Sequence, residues 1–437
     1  MMSKNNVVAA IDIGTAKICT LIAVVEEGGE LRIVGASSVH SQGIRKSQIV
    51  NLEEATLAIT ESVDAAERMA GFNISEAYVS VSGRHIQSQN SKGVVAVADP
   101  QGDIIQEDID RVIEAARAVS LPSNREILHV IPTSYQVDSQ DGIKDPIGMS
   151  GVRLEAQTHI ITGSTTVLKN IRKCVEQLGI QVGGFVFSGV AAAEAVITDT
   201  EKELGVILLD IGAGSTALSV YVEGSLMYSG VIPVGALHVT KDIALGSRIS
   251  IPAAETIKHS LSNLPPVSPT RLPNESREEA RARQKREDTI DLNELGLEEE
   301  VKTLSRKNLV DGIIVPRLRE IMELAHEELK KQEILDEVPS GLVLTGGGAE
   351  TVGVVETARR VMNLPARVGR PVGLRGLIDE IETPMYSTVT GLLTYGKKQG
   401  ISQVSSHGGF SLGGLPKGIK PNSIFSGIKK LIQSIWP

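Results

Sequence analysis

The sequence predicts an α/β protein of two related halves that face each other across a cleft. Three observations carry this. The chain has 437 residues, 41% of them hydrophobic, enough for two or more sub-domains with their own cores. An apolar strand, an Asp-Ile-Gly turn and a second apolar strand occur twice, in VVAAIDIGTAKICTLIAVVEEGGELRIVG from Val7 and GVILLDIGAGSTALSVYVEGSLMYSGVI from Gly205, so that Asp12 and Asp210 are equivalent. Strand-like runs also alternate with segments of helical spacing along most of the chain.

Composition excludes several classes of function. A formal net charge of -9 argues against nucleic-acid binding through overall electrostatics. Cys19 and Cys174 lie in apolar runs and read as small buried hydrophobes, with no disulfide framework or metal cluster, which suits a reducing compartment. The start MMSKNN has no signal-peptide core, and no run reaches the roughly 18 apolar residues of a spanning helix. The body is therefore expected in the cytoplasm.

In order, residues 7–40 read as three strands separated by turns. Residues 53–70 have helical spacing, and EAYVSVSG (76–83) returns to strand. Residues 84–160 are mixed, with one clear helix over 106–119 whose first turn, Gln106 to Asp108, carries acids. The three-strand unit then recurs over 205–232. From Ser262 to Glu300 prolines give way to dense charge, an exposed loop followed by a solvated helix. A long amphipathic helix is expected over 308–334, then a strand running into VLTGGGAE (343–350). From Lys397 to Pro421, Gly, Ser, Lys and Pro dominate, which is linker composition.

AIDIGT (10–15) and LDIGAGST (209–216) each end a strand on an aspartate and turn on glycine. A carboxylate at a strand end can hold a magnesium ion directly or through water. Gly14, Gly212 and Gly214 let backbone N–H groups approach phosphate oxygens, and Ala16 completes the first turn. Thr15, Ser215 and Thr216 add hydroxyl donors, and Lys17 adds a charge. Two such turns clasp a triphosphate from both sides. Gly346, Gly347 and Gly348 leave a flat backbone surface for a nucleoside; seen alone, they are an ordinary strand-to-helix turn. Glu255 and Lys258 stand at i and i+3 on one helix face, by themselves a surface ion pair.

In this order and with these separations, the four pieces resemble those of the actin-like ATPase superfamily. The resemblance implies the fold, duplicated ribonuclease-H-like domains, and the ligands, ATP and Mg2+. It implies that Asp12 and Asp210 organise the metal and water, the glycine turns hold phosphates, Glu255 meets the ribose and Lys258 the adenine face. GVRLEAQTHIITGS, NIRKCVEQLGI, FSGVAAAEAVIT, EKELGVILLDIGAGST, VIPVGALHVTKDIA and SRKNLVDGIIVPRLREI narrow the match. They resemble the FtsA family of actin-related bacterial cell-division proteins over nearly the whole chain.

That resemblance implies a division into domain 1A (1–83 and 163–200), an inserted subdomain 1C (84–162), domain 2A (201–245, then 308–396 with a return to 1A), and subdomain 2B with a charged insert (246–307). A linker (397–421) and a membrane-targeting helix (422–437) follow. It implies as partners the chain itself in filaments, the C-terminal peptide of FtsZ on 2B and other division proteins on 1C. It implies a place at the division site, on the inner face of the bacterial cytoplasmic membrane. Two departures stand out. Between Ser262 and Lys302 the family carries a Gly-rich strand pair; here stand prolines and a charged helix. Arg306 and Lys307 are basic residues near the matching segment, and on their own read as a solvated helix start. Secondly, SGVAAAEAV matches the segment where some relatives carry an acid that positions the attacking water. Here Gly189 stands at that place and Glu194 is displaced by more than a helix turn. Hydrolysis is therefore expected to be slow, and the nucleotide an assembly switch.

The end of the chain carries a separate signal. On a helix, Ile424, Phe425, Ile428, Leu431, Ile432, Ile435 and Trp436 form one continuous apolar stripe. Lys429 and Lys430 take the remaining faces with serines and Gln433, and Asn422 is the N-cap. From Lys397 onward there are six lysines and no Asp or Glu. Such a helix lies in the interface of an anionic membrane, with lysines contributing roughly 1 kcal/mol each. Binding is then reversible for one chain and strong for a polymer, because linked tails bind together. The plainer alternative is a C-terminal helix packed on the body. Other members of the superfamily fit less well. A sugar kinase gains nothing from an amphipathic tail, and a DnaK-type chaperone needs a β-rich domain that the last 41 residues cannot build. The pilus-assembly adaptor PilM is close in fold, but the tail argues against it.

Overall fold

The computed structural model describes residues 7–99, 102–264, 275–376 and 381–406. The amphipathic stripe over 422–437 lies outside the described residues. Among those described, no helix is long and apolar enough to cross a membrane.

β1 (Val7–Ile13), β2 (Lys17–Val25) and β3 (Leu31–His40) form an antiparallel meander. A small hairpin follows, β4 (Ile44–Arg45) with β5 (Gln48–Ile49). α1 (Leu52–Ala70) starts on Asn51, whose Oδ1 accepts from the Glu53 and Glu54 N–H groups, and stops on left-handed Gly71. β6 (Glu76–Val81) then runs parallel to β1. The chain next builds an inserted unit of β7 (Gln87–Ala96), α2 (Gln106–Arg117), β8 (Arg125–Val137), β9 (Gln140–Ile143) and β10 (Arg153–Ser164), an antiparallel sheet in the order β7-β10-β8-β9. This unit has its own small core, including Ile104, Val112, Tyr135 and Leu154. α3 (Thr165–Glu176), β11 (Gln181–Phe187) and α4 (Ser188–Val196) complete the first half, and α5 (Asp199–Leu204) leads into the second.

The second half repeats the plan with β12 (Val206–Ile211), β13 (Thr216–Val222) and β14 (Ser225–Ile232). Every residue of β12, VILLDI, is buried, as expected of a central strand covered on both faces. α6 (Ala236–Ser247), α7 (Ile251–Asn263) and α8 (Arg277–Asp288) follow, then a short ladder of β15 (Thr289–Asp291) and β16 (Thr303–Ser305). α9 (Arg306–Leu309) runs through a π turn at Val310–Ile314 into α10 (Val315–Lys331). β17 (Leu342–Thr345), α11 (Val354–Met362) and β18 (Ala366–Val368) close the second sheet. β19 (Leu374–Gly376) returns to pair with β3, and α12 (Ser387–Ser406) ends the described chain.

The two main sheets read β19-β3-β2-β1-β6-β11 and β14-β13-β12-β17-β18; leaving aside the parallel edge strand β19, each has two antiparallel steps and then two parallel ones. The repeat in sequence is thus a repeat in topology. α4 is buried at eight of its nine positions. An added Cβ at Gly391 of α12 would stand 1.7 Å from the Ala191 carbonyl oxygen, so the two helices touch backbone to backbone.

Three elements differ from the sequence expectation. The helix expected from residue 308 begins at Arg306 and widens at Val310–Ile314. Pro316 cannot donate to the Gly312 carbonyl and its ring crowds that group, so the turn before it opens. The charged stretch forms α8 as expected, capped by Ser276 and Glu279, but β15 also lies within the region read as loop and charged helix, and pairs with β16 just beyond it. Three-residue strands carry too few alternations to register as a pattern. Finally, Arg306 is not a solvated helix start: it is buried, and Nη2 donates to the Leu264 carbonyl at 3.1 Å, whereas Lys307 is exposed.

Candidate nucleotide site

The two Asp-Ile-Gly turns have the same internal hydrogen bond. The Gly14 N–H donates to the Lys17 carbonyl at 3.0 Å, and the Gly212 N–H donates to the Ser215 carbonyl at 3.0 Å. Each aspartate is then gripped by one hydroxyl. Ser80 Oγ, from β6, donates to Asp12 Oδ1 at 2.6 Å; Thr388 Oγ1, from the first turn of α12, donates to Asp210 Oδ2 at 3.1 Å. Burial pushes the Asp12 carboxyl up, against the Ser80 hydroxyl and Lys17. Burial and the charge of Asp12 together push Asp210 up to about 7, against Thr388 and Lys17. Two carboxylates that repel in a buried cleft are relieved by a cation between them.

Lys17 Nζ is buried with no hydrogen-bonding partner, 3.9 Å above the Tyr386 ring. The Asp12 and Asp210 carboxylates act on its charge, but Nζ bonds to neither; a buried ammonium that makes no hydrogen bond is costly, and a phosphate oxygen is the kind of group it lacks. Among the described residues no three His, Cys, Asp or Glu gather into a metal cage. One or two carboxylates plus phosphate oxygens and water is the usual provision for Mg2+. The residues present therefore fit a magnesium-bound phosphate chain.

The remaining predicted positions divide. Thr15 Oγ1 accepts the Ser47 N–H at 2.9 Å, and Ser215 Oγ lies 3.0 Å from Ser47 Oγ. The Ala16 carbonyl accepts the Ser41 N–H. Thr216 is fully buried and its hydroxyl donates to the Val234 carbonyl at 2.8 Å, so it holds the turn together. Gly214 lets the two turns meet, since an added Cβ would stand 2.6 Å from Thr15 Oγ1. In the third cluster, a Cβ on Gly346 would fall 2.4 Å from Asp210 Oδ1, and one on Gly348 would fall 2.3 Å from Ile211 Cγ2. Those two glycines serve packing. Gly347 has nothing nearer than Met385 Cβ at 3.8 Å and keeps an open face.

α6 begins on the second turn, its Ala236 N–H donating to the Gly212 carbonyl. Thr240 is four residues further, about 6 Å along the helix. There Lys258 Nζ donates to Thr240 Oγ1 at 3.0 Å and to Glu255 at 2.8 and 2.9 Å. This is not a surface pair, because Lys258 is buried. Burial would raise the Glu255 carboxyl, but hydrogen bonds from His259, Lys258 and Thr240 and the Lys258 charge outweigh it and hold the group down to about 2.

Gly189 has no space for a side chain, since a Cβ would meet Ser219 Oγ at 2.5 Å and the Phe187 ring at 2.7 Å. Glu194 bonds Lys202 at 3.2 Å and interacts with Tyr221, at the end of β13 away from the phosphate turn. Sequence reasoning missed Ser47, Ser80, Thr388 and Tyr386. All arrive from other elements, and none belongs to a local motif.

The fold and this cleft define an actin-like ATPase architecture, two duplicated domains facing each other through paired aspartate turns. Among solved structures, the chain is similar to a PilM-PilN type IV pilus biogenesis complex (TM-score 0.59, 14% identity, covering 89% of this chain and 98% of that one). It is also similar to MreB5 of Spiroplasma citri bound to ADP (TM-score 0.51, 14% identity, 92% and 99% covered). Residues 83–162 match the model for the SHS2 domain inserted in FtsA, and residues 207–391 match the model for cell division protein FtsA. The cell division protein FtsA of Pseudomonas aeruginosa is 36% identical over 399 residues, with 90% of each chain covered. That of Borreliella burgdorferi is 38% identical over 394 residues, covering 90% of this chain and 92% of the relative. That of Escherichia coli is 35% identical over 400 residues, with 90% of each covered. The chain belongs to the FtsA family of cell division proteins.

Proposed function

We propose that this chain is an ATP-binding, self-polymerising adaptor that ties FtsZ filaments to the inner face of the cytoplasmic membrane at the division site. The observation that carries the nucleotide part is the coupled pair Asp12 and Asp210 beside the unpartnered Nζ of Lys17. Mg2+, when bound there, neutralises phosphate charge and lets both carboxylates ionise. Gly14 and Gly212 present the turns, Thr15 and Ser215 supply hydroxyls, and Lys17 takes a phosphate oxygen. Gly347 offers its open face to the nucleoside, with Glu255 and Lys258 one helical turn beyond the second phosphate turn. The actin-fold structures of Spiroplasma MreB5 bound to ADP and to AMPPNP support this reading.

Hydrolysis is slow in this scheme, because no acid occupies the place of Gly189 and Glu194 is committed to Lys202. The nucleotide then controls self-association rather than feeding turnover. The apolar stripe from Ile424 to Trp436 with Lys429 and Lys430 supplies the membrane foot, and polymerisation makes many weak feet into one strong attachment. The unit spanning 246–307 receives the FtsZ C-terminal peptide, and the inserted unit receives other division proteins.

Two measurements test this. Titration with a fluorescent ATP analogue, with and without Mg2+, must show metal-dependent binding that Lys17→Ala abolishes. Co-sedimentation with anionic vesicles must be lost when residues 422–437 are removed; a truncated chain that pellets as well as the full one refutes the tether. Crosslinking of an FtsZ tail peptide then locates its contact within or outside 246–307.

A further inference from the structure

Resting on the nucleotide reading above, we propose that the Lys46–Ser47 turn is a latch across the two phosphate turns, which reads the length of the bound phosphate chain and passes it to the inserted unit. The turn joins β4 and β5 and has both central residues at positive φ, 49° for Lys46 and 60° for Ser47. Hairpins of this shape ordinarily carry Asn-Gly. Residues with side chains keep such angles where the surroundings impose them.

The surroundings here are the phosphate turns themselves. The Ser47 N–H donates to Thr15 Oγ1 of the first turn at 2.9 Å, and Ser47 Oγ shares a hydrogen with Ser215 Oγ of the second at 3.0 Å. Backbone crowds in behind. A Cβ added to Gly214 would lie 2.6 Å from Thr15 Oγ1 and 3.1 Å from Lys46 Cα. Three loops thus meet with no room between them. A terminal phosphate seated between Thr15 and Ser215 needs the hydroxyl that Ser47 now holds, and it needs the turns apart. These Ser47 contacts are the closed latch, and a terminal phosphate between Thr15 and Ser215 opens it by taking their place.

The hairpin does not move alone. Gly83, at φ 112°, lies where an added Cβ would be 3.2 Å from Ser47 Cβ and 3.4 Å from the Lys46 carbonyl oxygen. Gly83 is the first residue of the inserted-domain match over 83–162. Two residues on, the His85 carbonyl accepts from Arg125 Nη2 at 3.0 Å and His85 Nδ1 accepts the Ser164 N–H at 3.2 Å. Arg125 also donates to the Thr162 carbonyl and hydroxyl. The entry and exit strands of the inserted unit are therefore clamped together beside the latch, and displacement of Ser47 reaches both.

The test uses the full chain carrying Ser47→Gly, since glycine adopts this φ without strain and the turn survives. Removing one part-buried hydroxyl contact favours the opened state, so preference for ATP over ADP should rise about three- to tenfold. In the wild type, amide hydrogen exchange of residues 83–87 should differ between the ATP and ADP complexes, and in Ser47→Gly that difference should vanish. Ser47→Ala must shift the preference in the same direction, which assigns the effect to the hydroxyl rather than to backbone freedom. A preference within twofold of wild type in both variants, or wild-type exchange at 83–87 indifferent to the nucleotide, overturns the latch while leaving the site intact. A wild type that binds neither nucleotide with Mg2+ removes the site and the latch together.

Discussion

Replacing Gly347 by alanine separates a glycine kept for packing from one kept for a ligand. Its neighbours give the contrast. Gly346 sits at φ 78° with Asp210 Oδ1 and the Ile211 carbonyl oxygen 2.4 and 2.7 Å from where a methyl would go. Gly346→Ala costs roughly 1–3 kcal/mol for a positive-φ extended backbone, ψ 168°, that essentially only glycine adopts, plus the displacement of a site carboxylate. Stability and nucleotide affinity should fall together. Gly347 has ordinary backbone angles, and Met385 Cβ at 3.8 Å is its nearest neighbour. There alanine reduces the freedom of the unfolded chain and should stabilise the protein by about 0.4–1 kcal/mol. If a nucleoside lies on this face, the methyl overpacks the contact by about 1–3 kcal/mol, a loss of roughly five- to more than a hundredfold in affinity. Thermal denaturation and titration with a fluorescent ATP analogue, on the same preparation, read the two opposite signs. A Gly347→Ala protein that is no less stable and binds ATP as the wild type does would falsify the assignment of this surface to a nucleoside.

Further outcomes follow from the same geometry. In metal-free protein the raised Asp210 penalises folding: nothing is lost below about pH 4, and the cost grows between about pH 4 and 7 and then levels off at a few kcal/mol. Asp210→Asn should therefore denature at higher temperature than wild type at pH 7.5 without Mg2+, converge with it near pH 4, and bind no Mg-ATP. His129 is held down to about 4 by burial and by His159, and its Nε2 accepts the Phe187 N–H at 3.0 Å. Its contribution is complete above about pH 6.5 and is lost as pH falls through 4, up to about 3 kcal/mol. His129→Gln should flatten the decline of melting temperature over that window; an unchanged slope contradicts the burial argument. Gly189→Glu should lower stability by a few kcal/mol, because Ser219 and Phe187 fill the space, and steady-state phosphate release should not rise.

Much of the architecture was legible because its signals are local. β1 to β3 and β12 to β14 are apolar runs cut by glycine turns, and the repeated Asp-Ile-Gly marks the same corner of both. β7 was harder: QSQNSKGVVA is mostly polar, and it is held as a strand by pairing with β10 rather than by its own alternation. The site shows the same division. Asp12, Asp210 and the glycines announce themselves in sequence. Ser80 and Thr388 stand 68 and 178 residues from the carboxylates they hold, and Ser47 is 168 from Ser215, so no spacing rule joins them. Residue type alone also could not separate Gly347 from Gly346, or Thr216 from Ser215. Those differences lie in which atom each one faces after the sheets have formed.

The contact of Gly391 with the Ala191 carbonyl limits how such a molecule can deform. α12 is tied to the second sheet at its start, through Thr388 on Asp210 and Ser387 on Thr345, and to the first sheet further along, where Gly396 rests on Tyr78 and Val8. α4 crosses between the sheets at the same level. With no methyl's width between them, the helices can scissor about that point but cannot glide past one another. The touching backbones act as a fulcrum, so any relative movement of the helices there is a rotation about Gly391 and Ala191.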